Sequence, residues 1–314
     1  MALSTRHILS IRDLSSRDID LIFQTADSFR EISERDIKKV PTLRGRTVIN
    51  AFFEDSTRTR LSFEIAGKRL SADTINISTS GSAMAKKGES FGDTVLNLEA
   101  MNPDILIIRH NQAGAPLLAS KLIKKGHVIN AGDGMHEHPT QALLDLFTIR
   151  EKLGRVKGLK VGIVGDVAHS RVARSDMLLF RKMGLKVYLC GPLTLMPPSV
   201  EAEYGVTWVP SFDDIIPKLD VLIALRIQKE RLEEHLFPSL REYARYFGIN
   251  EKRLKKAKTE LLIMHPGPVN RGIELSPDVI DGPRSVILDQ VTNGVAIRMA
   301  ILYLLLGGEG EKGT

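Results

Sequence analysis

Short uninterrupted apolar runs alternate along this chain with longer stretches in which apolar residues recur every three to four positions, the pattern of buried strands followed by amphipathic helices. The first such unit is Thr47-Val48-Ile49-Asn50-Ala51-Phe52-Phe53, followed by a helix whose Phe63, Ala66 and Leu70 share one face. Ile105-Leu106-Ile107-Ile108 and Val128-Ile129-Asn130 repeat the pattern. The helix after the latter carries Pro139 in its first turn and ends near Gly154, because proline is tolerated where an N–H has no helical partner and glycine permits a left-handed stop. Val161-Gly162-Ile163-Val164, Val187-Tyr188-Leu189-Cys190, Val221-Leu222-Ile223-Ala224-Leu225 and Leu261-Leu262-Ile263-Met264 form a second series. Runs that are apolar throughout belong to parallel sheets covered on both faces. The predicted fold class is therefore α/β, with two domains, each a parallel sheet flanked by helices. The basic, Gly-containing stretch at 154–158 sets the boundary, giving residues 1–154 and 155–287. A final helix over about 290–306 is apolar on several faces, so it is expected to pack back on the first domain beside an early helix over 16–35, adding residues 288–314 to that domain.

Composition fits this picture and narrows the function. With 43% hydrophobic and 26% charged residues in 314, the chain suits a globular protein with two modest cores. No segment has secretory character and no apolar run approaches roughly 20 residues, so neither export nor membrane spanning is expected, and a cytoplasmic location is. The lone Cys190 cannot form an internal disulfide and has no second thiol with which to build a zinc site. It reads as a small apolar strand residue. The net charge of +6 comes from 44 basic and 38 acidic residues, which are intermixed with few aromatics, unlike a nucleic-acid face. Lys252-Arg253-Leu254-Lys255-Lys256 reads as a solvated helix face.

The segment Phe53-Glu54-Asp55-Ser56-Thr57-Arg58-Thr59-Arg60 puts hydroxyls and two cations between the carboxyl end of a strand and the start of a helix. Open N–H groups, the helix dipole and a guanidinium fork make such a junction suited to phosphate. On geometry alone it reads equally as a capped helix with two surface arginines. The density of polar groups beside a buried strand favours phosphate. Arg109-His110, His138-Pro139-Thr140-Gln141 and His265-Pro266-Gly267-Pro268 also end their strands with polar groups. Single histidines such as His110 and His265 are more often structural, but His138 and Gln141 lie three apart in the first turn of a helix and face the same way. The Pro-Gly-Pro turn presents carbonyls suited to an amide NH₂. Gly162 and Gly165 hint at a dinucleotide loop, yet the third glycine is missing and Ala168-His169-Ser170-Arg171 fills its place, which argues against nicotinamide.

Taken together, Ser56-Thr57-Arg58-Thr59-Arg60, His138-Pro139-Thr140-Gln141 and Arg226-Ile227-Gln228-Lys229-Glu230-Arg231 resemble the aspartate carbamoyltransferases over nearly the whole chain. His265-Pro266-Gly267-Pro268 stands where ornithine carbamoyltransferases have His-Cys-Leu-Pro. The resemblance implies transfer of a carbamoyl group from carbamoyl phosphate to L-aspartate in pyrimidine biosynthesis, with no metal and no cofactor. It assigns Ser56, Thr57, Arg58, Thr59 and Arg109 to the phosphate, and Thr59, Arg109 and His138 to the carbamoyl oxygen. Gln141 and the carbonyls of Pro266 and Gly267 take the carbamoyl NH₂. Arg171, Arg226 and Gln228 take the aspartate carboxylates, while Glu230 steadies Arg226. Glu54 is implied to pair with Arg171 and Arg231 on domain closure. The first domain would thus bind carbamoyl phosphate and the second aspartate.

Residues 78–89, rich in Ser, Gly and Ala and containing Lys86-Lys87-Gly88-Glu89, read by themselves as a mobile surface loop. The resemblance makes this loop reach a neighbouring subunit's active site in a homotrimer, with Lys87 touching both substrates. Ser82 would touch the phosphate, although Ala83 fills the position in another register. The variants Pro268-Val269-Asn270-Arg271 and His169-Ser170-Arg171-Val172-Ala173-Arg174 resemble chains that assemble with dihydroorotase. Two other readings stand beside this one. An ornithine-type carbamoyltransferase would need an acidic acceptor site, which Arg171, Arg226 and Gln228 oppose. A catalytically silent scaffold would have no need of the phosphate and oxyanion sets together.

Overall fold

The computed structural model describes residues 2–78, 88–227 and 239–306. In chain order its main elements are α1 (Ser16–Glu34), β1 (Thr47–Phe52), α2 (Thr57–Arg69), β2 (Asp73–Ser78), α3 (Phe91–Ala100), β3 (Ile105–His110), α4 (Ala115–Leu122), β4 (His127–Asp133), α5 (Pro139–Leu153), β5 (Lys160–Val164), α6 (Arg171–Lys182), β6 (Lys186–Cys190), α7 (Val200–Tyr204), β7 (Thr207–Trp208), α8 (Phe212–Ile215), β8 (Val221–Ala224), α9 (Leu240–Phe247), α10 (Glu251–Leu254), β9 (Leu262–Met264), α11 (Pro277–Ile280) and α12 (Ile287–Leu306). They form two compact units, Met1–Leu144 with Val291–Thr314, and Asp145–Gln290. The α/β architecture with two parallel sheets is the one expected. Among the described residues no helix is long and apolar enough to cross a membrane.

In the first unit the strand order is β2-β1-β3-β4, all parallel. β1, β3 and β4 are buried almost throughout, which is why they stand out as apolar runs. β2 was not anticipated. It lies at the sheet edge, where one face meets water, and Ile75 is accordingly 48% exposed. The amino-terminal segment adds beside β4 through a parallel bridge between Ile8 and Ile129. α1 starts with a reciprocal capping box between Ser15 and Asp18 and buries Ile19, Ile22, Phe23, Ala26 and Phe29 on one stripe. The carboxyl-terminal part of α12 belongs to this unit, as predicted. Tyr303 meets Phe29 edge-on with ring centroids 5.6 Å apart, and Arg298 donates to the Ser62 hydroxyl at 2.8 Å while lying over the Phe63 ring.

The second unit orders its strands β7-β6-β5-β8-β9, again all parallel. Val164, Cys190, Leu222, Ala224 and Ile263 form its core with Phe212, Leu219 and Leu261. Cys190 is fully buried in β6, and burial pushes its thiol up to about 12, so it behaves as the apolar strand residue expected.

In both sheets the chain lays strands outward from a central one and then returns to the other side. The order reverses between β1 and β3 in the first unit, and between β5 and β8 in the second. At such a switch point the loops leaving two neighbouring strands diverge, and the carboxyl ends of the strands frame a crevice for ligands.

Candidate active site

At the first switch point β1 runs into Phe53-Glu54 and β3 into Arg109-His110, joined by a hydrogen bond from the Phe53 N–H to the Arg109 carbonyl at 2.8 Å. α2 then begins directly after Ser56. Ser56 is its N-cap residue, yet its side chain makes no capping hydrogen bond, whereas Ser15, Ser90 and Ser170 each cap their helices through the side chain. The first turn of α2 contains no acidic residue. The Ser56 hydroxyl is thus not used by the helix, and its terminus keeps the positive potential of open N–H groups. That favours the anion-site reading of residues 56–60 over the capped-helix one. Thr57 and Arg58 are exposed, and Thr59 is buried.

Arg109 is fixed from two sides. Its Nη1 donates to the Ala131 carbonyl at 3.1 Å and its Nη2 to Glu54 Oε1 at 3.0 Å. A guanidinium held through both of its terminal nitrogens keeps its plane. His110, by contrast, is a core histidine. Its ring packs against Phe53 and Phe91 at 5.6 and 5.0 Å, and its Nδ1 accepts from the Gln112 N–H at 2.9 Å. Burial holds its pKa below the ordinary value against the opposing charges of Glu54 and Asp133.

His138 immediately precedes α5 and is buried, as is Gln141 in the first turn, whose N–H donates to the His138 carbonyl at 2.9 Å. The loop that presents His138 is tied down by a polar knot with no spacing signature in the sequence. Asp133 accepts from the Gly114 N–H at 2.7 Å, the Asn130 side chain at 2.8 Å and the Glu137 N–H at 3.1 Å. Burial raises the Asp133 pKa, but the hydrogen bonds from His136, Gly114 and Asn130 outweigh it and hold the carboxyl below its usual range. Glu137, buried beside His138, accepts from the Ser10 hydroxyl and from the Ile11 N–H at 3.0 Å.

At the second switch point β5 runs into Gly165-Asp166 and β8 into Leu225-Arg226, with the Leu225 N–H donating to the Val164 carbonyl at 2.8 Å. Arg171 is the first residue of α6, which Ser170 caps by accepting from the Ala173 N–H at 3.1 Å. Asp166 braces the preceding turn through His169, whose Nδ1 lies 2.8 Å from Asp166 Oδ1. Arg171 is half-buried and Arg226 exposed. The two glycines of this region have packing roles: a Cβ on Gly162 would meet Leu219 at 2.5 Å, and Gly165, at φ +131, sits against Leu225 and the Tyr243 hydroxyl. The turn at Pro266 and Gly267 is held by the Gly267 N–H donating to His265 Nδ1 at 2.8 Å, and the His265 N–H donates to Gln290 at 3.0 Å. His265 is therefore a hinge-pin of the turn.

Each switch point so gathers one predicted group. Ser56, Thr57, Arg58, Thr59 and Arg109 flank the first, with His138 and Gln141 on the next strand's exit, and Arg171 and Arg226 flank the second. Ser82, Lys87, Gln228, Glu230 and Arg231 lie outside the described residues. Of the predicted loop at 78–89, Ser78 instead closes β2, and Glu89 accepts from Thr94 Oγ1 at 3.0 Å at the start of α3.

Comparison with known proteins matches the chain to two family models in succession. Residues 6–151 match the profile of the aspartate/ornithine carbamoyltransferase carbamoyl-P binding domain, and residues 157–305 that of the Asp/Orn binding domain. An aspartate carbamoyltransferase catalytic subunit from Syntrophotalea carbinolica is 57% identical over 309 residues, 98% of each chain. One from Syntrophus aciditrophicus is 58% identical over 302 residues, 96% of this chain and 97% of its own. Among solved structures, aspartate transcarbamoylase from Trypanosoma cruzi in complex with N-(phosphonacetyl)-L-aspartic acid matches with a TM-score of 0.85 at 34% identity, covering 95% of this chain and 94% of that one. The catalytic subunit of M. jannaschii aspartate transcarbamoylase matches with a TM-score of 0.85 at 33% identity, over 98% of this chain and all of the other.

Proposed function

This chain belongs to the aspartate/ornithine carbamoyltransferase family, and we infer that it transfers the carbamoyl group of carbamoyl phosphate to the α-amino group of L-aspartate, giving N-carbamoyl-L-aspartate and phosphate. The observation that carries this reading is the end-to-end identity of 57% with a relative named for aspartate, joined to arginines at both switch points. An ornithine-type acceptor carries a side-chain cation, which Arg171 and Arg226 would repel.

The aspartate amine attacks the carbamoyl carbon, the bond from that carbon to the phosphate oxygen breaks, and the departing phosphate takes the amine proton. Ser56, Thr57, Arg58, Thr59 and Arg109 hold the phosphate. Negative charge grows on the carbamoyl oxygen during attack, and donors aimed at it from Thr59, Arg109 and His138 stabilise the transition state more than the ground state. Gln141 and the carbonyls of Pro266 and Gly267 orient the carbamoyl NH₂. Arg171 and Arg226, with Gln228, bind the two carboxylates of aspartate. Ionised groups and correct placement then supply most of the acceleration.

Lys87 and Ser82 act from a neighbouring subunit of a homotrimer, and Glu54, Arg231 and Glu230 serve domain closure. Swapping the charges of Glu54 and Arg231 should lower activity singly and recover part of it together. Residues 1–154 with 288–314 bind carbamoyl phosphate and residues 155–287 bind aspartate, in a cytoplasmic enzyme that also assembles with dihydroorotase. Light scattering of the purified chain tests the trimer, and co-purification tests the larger assembly. The central test is steady-state turnover with carbamoyl phosphate, comparing L-aspartate with L-ornithine while following both phosphate and carbamoylated product. Turnover of ornithine, or of neither acceptor by the folded protein, would overturn the reading.

A further inference from the structure

β8 ends at Ala224, and beyond it Leu225 and Ile227 are buried with the exposed Arg226 between them. The Leu225 N–H still donates to the Val164 carbonyl of β5 at 2.8 Å, but at Ile227 the backbone partners are side chains. Two side chains from the segment after β9 take the place of a neighbouring strand. The Glu274 carboxylate accepts from the Ile227 N–H at 2.7 Å, and Asn270 Nδ2 donates to the Ile227 carbonyl at 2.9 Å. Both backbone polar groups of one residue are thereby held by side chains about 45 positions away in sequence.

The pair is itself locked. Glu274 also accepts from the Asn270 N–H at 2.8 Å and from Asn270 Nδ2 at 2.6 Å, and it is 1% exposed. Its own backbone is fixed too, since the Ile249 N–H donates to the Glu274 carbonyl at 2.9 Å. The Ile227 side chain packs with Leu195 and Tyr243. Backbone and side chain of Ile227 are thus both immobilised, one residue after Arg226, while Arg226 itself is exposed. A buried carboxylate with three donors is expensive to maintain for packing alone. A fixed peptide next to a residue whose guanidinium must meet a small dicarboxylate is what such a device achieves.

We propose that Asn270 and Glu274 are positioning residues for the acceptor side of the reaction: by clamping the Ile227 peptide they set the backbone from which Arg226 reaches the aspartate carboxylate. This rests on the function proposed above, and the two can fail separately. Glu274→Gln keeps the volume but presents an NH₂ where an acceptor is needed, and Asn270→Ala releases the Ile227 carbonyl while leaving Glu274 in place.

In the full-length enzyme, Glu274→Gln should raise the KM for L-aspartate about tenfold or more, the scale of a lost charge-assisted hydrogen bond. The KM for carbamoyl phosphate should stay within about twofold, and Asn270→Ala should show a smaller change of the same kind. Succinate, a dicarboxylate without the amine, should lose inhibitory potency in parallel with aspartate, whereas inorganic phosphate should not. Hydrogen exchange supplies a readout independent of activity, with the Ile227 amide exchanging faster in Glu274→Gln. An unchanged aspartate KM overturns the proposal, and so does a proportional rise in both KM values. If Glu274→Gln does not fold, the same criteria apply to Asn270→Ala. Absence of aspartate turnover by the wild-type chain would instead defeat the functional reading, before any variant is made.

Discussion

Glu54→Gln sets two effects against each other at the proposed phosphate site. Glu54 accepts from Arg109 at 3.0 Å, with side chains 26% and 13% exposed, so it both orients that guanidinium and places a negative charge near the anion it would bind. A phosphate on another edge of Arg109 lies about 6 Å from the Glu54 carboxylate by hydrogen-bond lengths alone. With an effective dielectric of about 40 to 80, removing one negative charge at that distance from a dianion relieves roughly 1.5–3 kcal/mol of repulsion. Orientation suffers less. Glutamine still offers a carbonyl acceptor, Ala131 still holds Nη1, and exchanging a charge-assisted bond for a neutral one costs about 1 kcal/mol. Repulsion relief wins, so the variant should bind a phosphonate isostere of carbamoyl phosphate about two- to thirtyfold more tightly. Calorimetric titration at low and high salt measures this, and the gain should shrink as salt rises. If kcat falls at the same time, Glu54 acts at a later step, as its assignment to domain closure requires. Weaker binding of the isostere would refute the electrostatic argument and make Glu54 chiefly an orienting group for Arg109.

Three further outcomes are expected. His138→Ala should lower kcat about a hundredfold with little change in carbamoyl phosphate affinity, and an unchanged kcat would remove His138 from the oxyanion set. Glu137→Gln should lower kcat about tenfold by loosening the loop before His138, and Ser10→Ala should add nothing on top of it; independent, multiplying effects would show that the two do not act through one contact. Asp176 is fully buried, neither of its oxygens has a hydrogen-bond partner among the described residues, and burial followed by the charge of Asp145 raises its pKa well above the ordinary 3.8. A raised carboxyl pKa means stability that is complete below the unfolded value and is lost as pH rises toward the folded one. Asp176→Asn removes that loss, so its Tm advantage over wild type should widen from about pH 4 to about pH 8, and parallel Tm curves across that range would refute it.

What could be read from the sequence followed what the physics makes local. β1, β3, β4, β5, β6 and β8 are buried on both faces, so their apolar runs were visible. β2 alternates because it is an edge, and β7 has only two residues, too few to leave a pattern. Residues 56–60 and 138–141 stood out as candidates because their polar groups crowd into a few consecutive positions at strand exits. Their supports did not. Glu137 is gripped by Ser10, 127 residues earlier, and Ile227 by Glu274, 47 residues later. Neither distance repeats, and a single buried carboxylate in a loop looks in sequence like any solvated acid. The role of Ser56 was equally opaque, since sequence does not separate a hydroxyl that caps its helix from one, like this, that does not.

The contact between Arg298 and Ser62 spans 236 residues. On the ribosome, at about 5–20 residues per second, the partner of Ser62 and Phe63 emerges roughly ten to fifty seconds after they do. Throughout that interval the nascent first sheet and α2 exist without the helix segment that later covers Phe29, Ser62 and Phe63, while the whole Asp145–Gln290 unit is translated in between. The apolar face awaiting α12 therefore stays uncovered until that last described helix has been made.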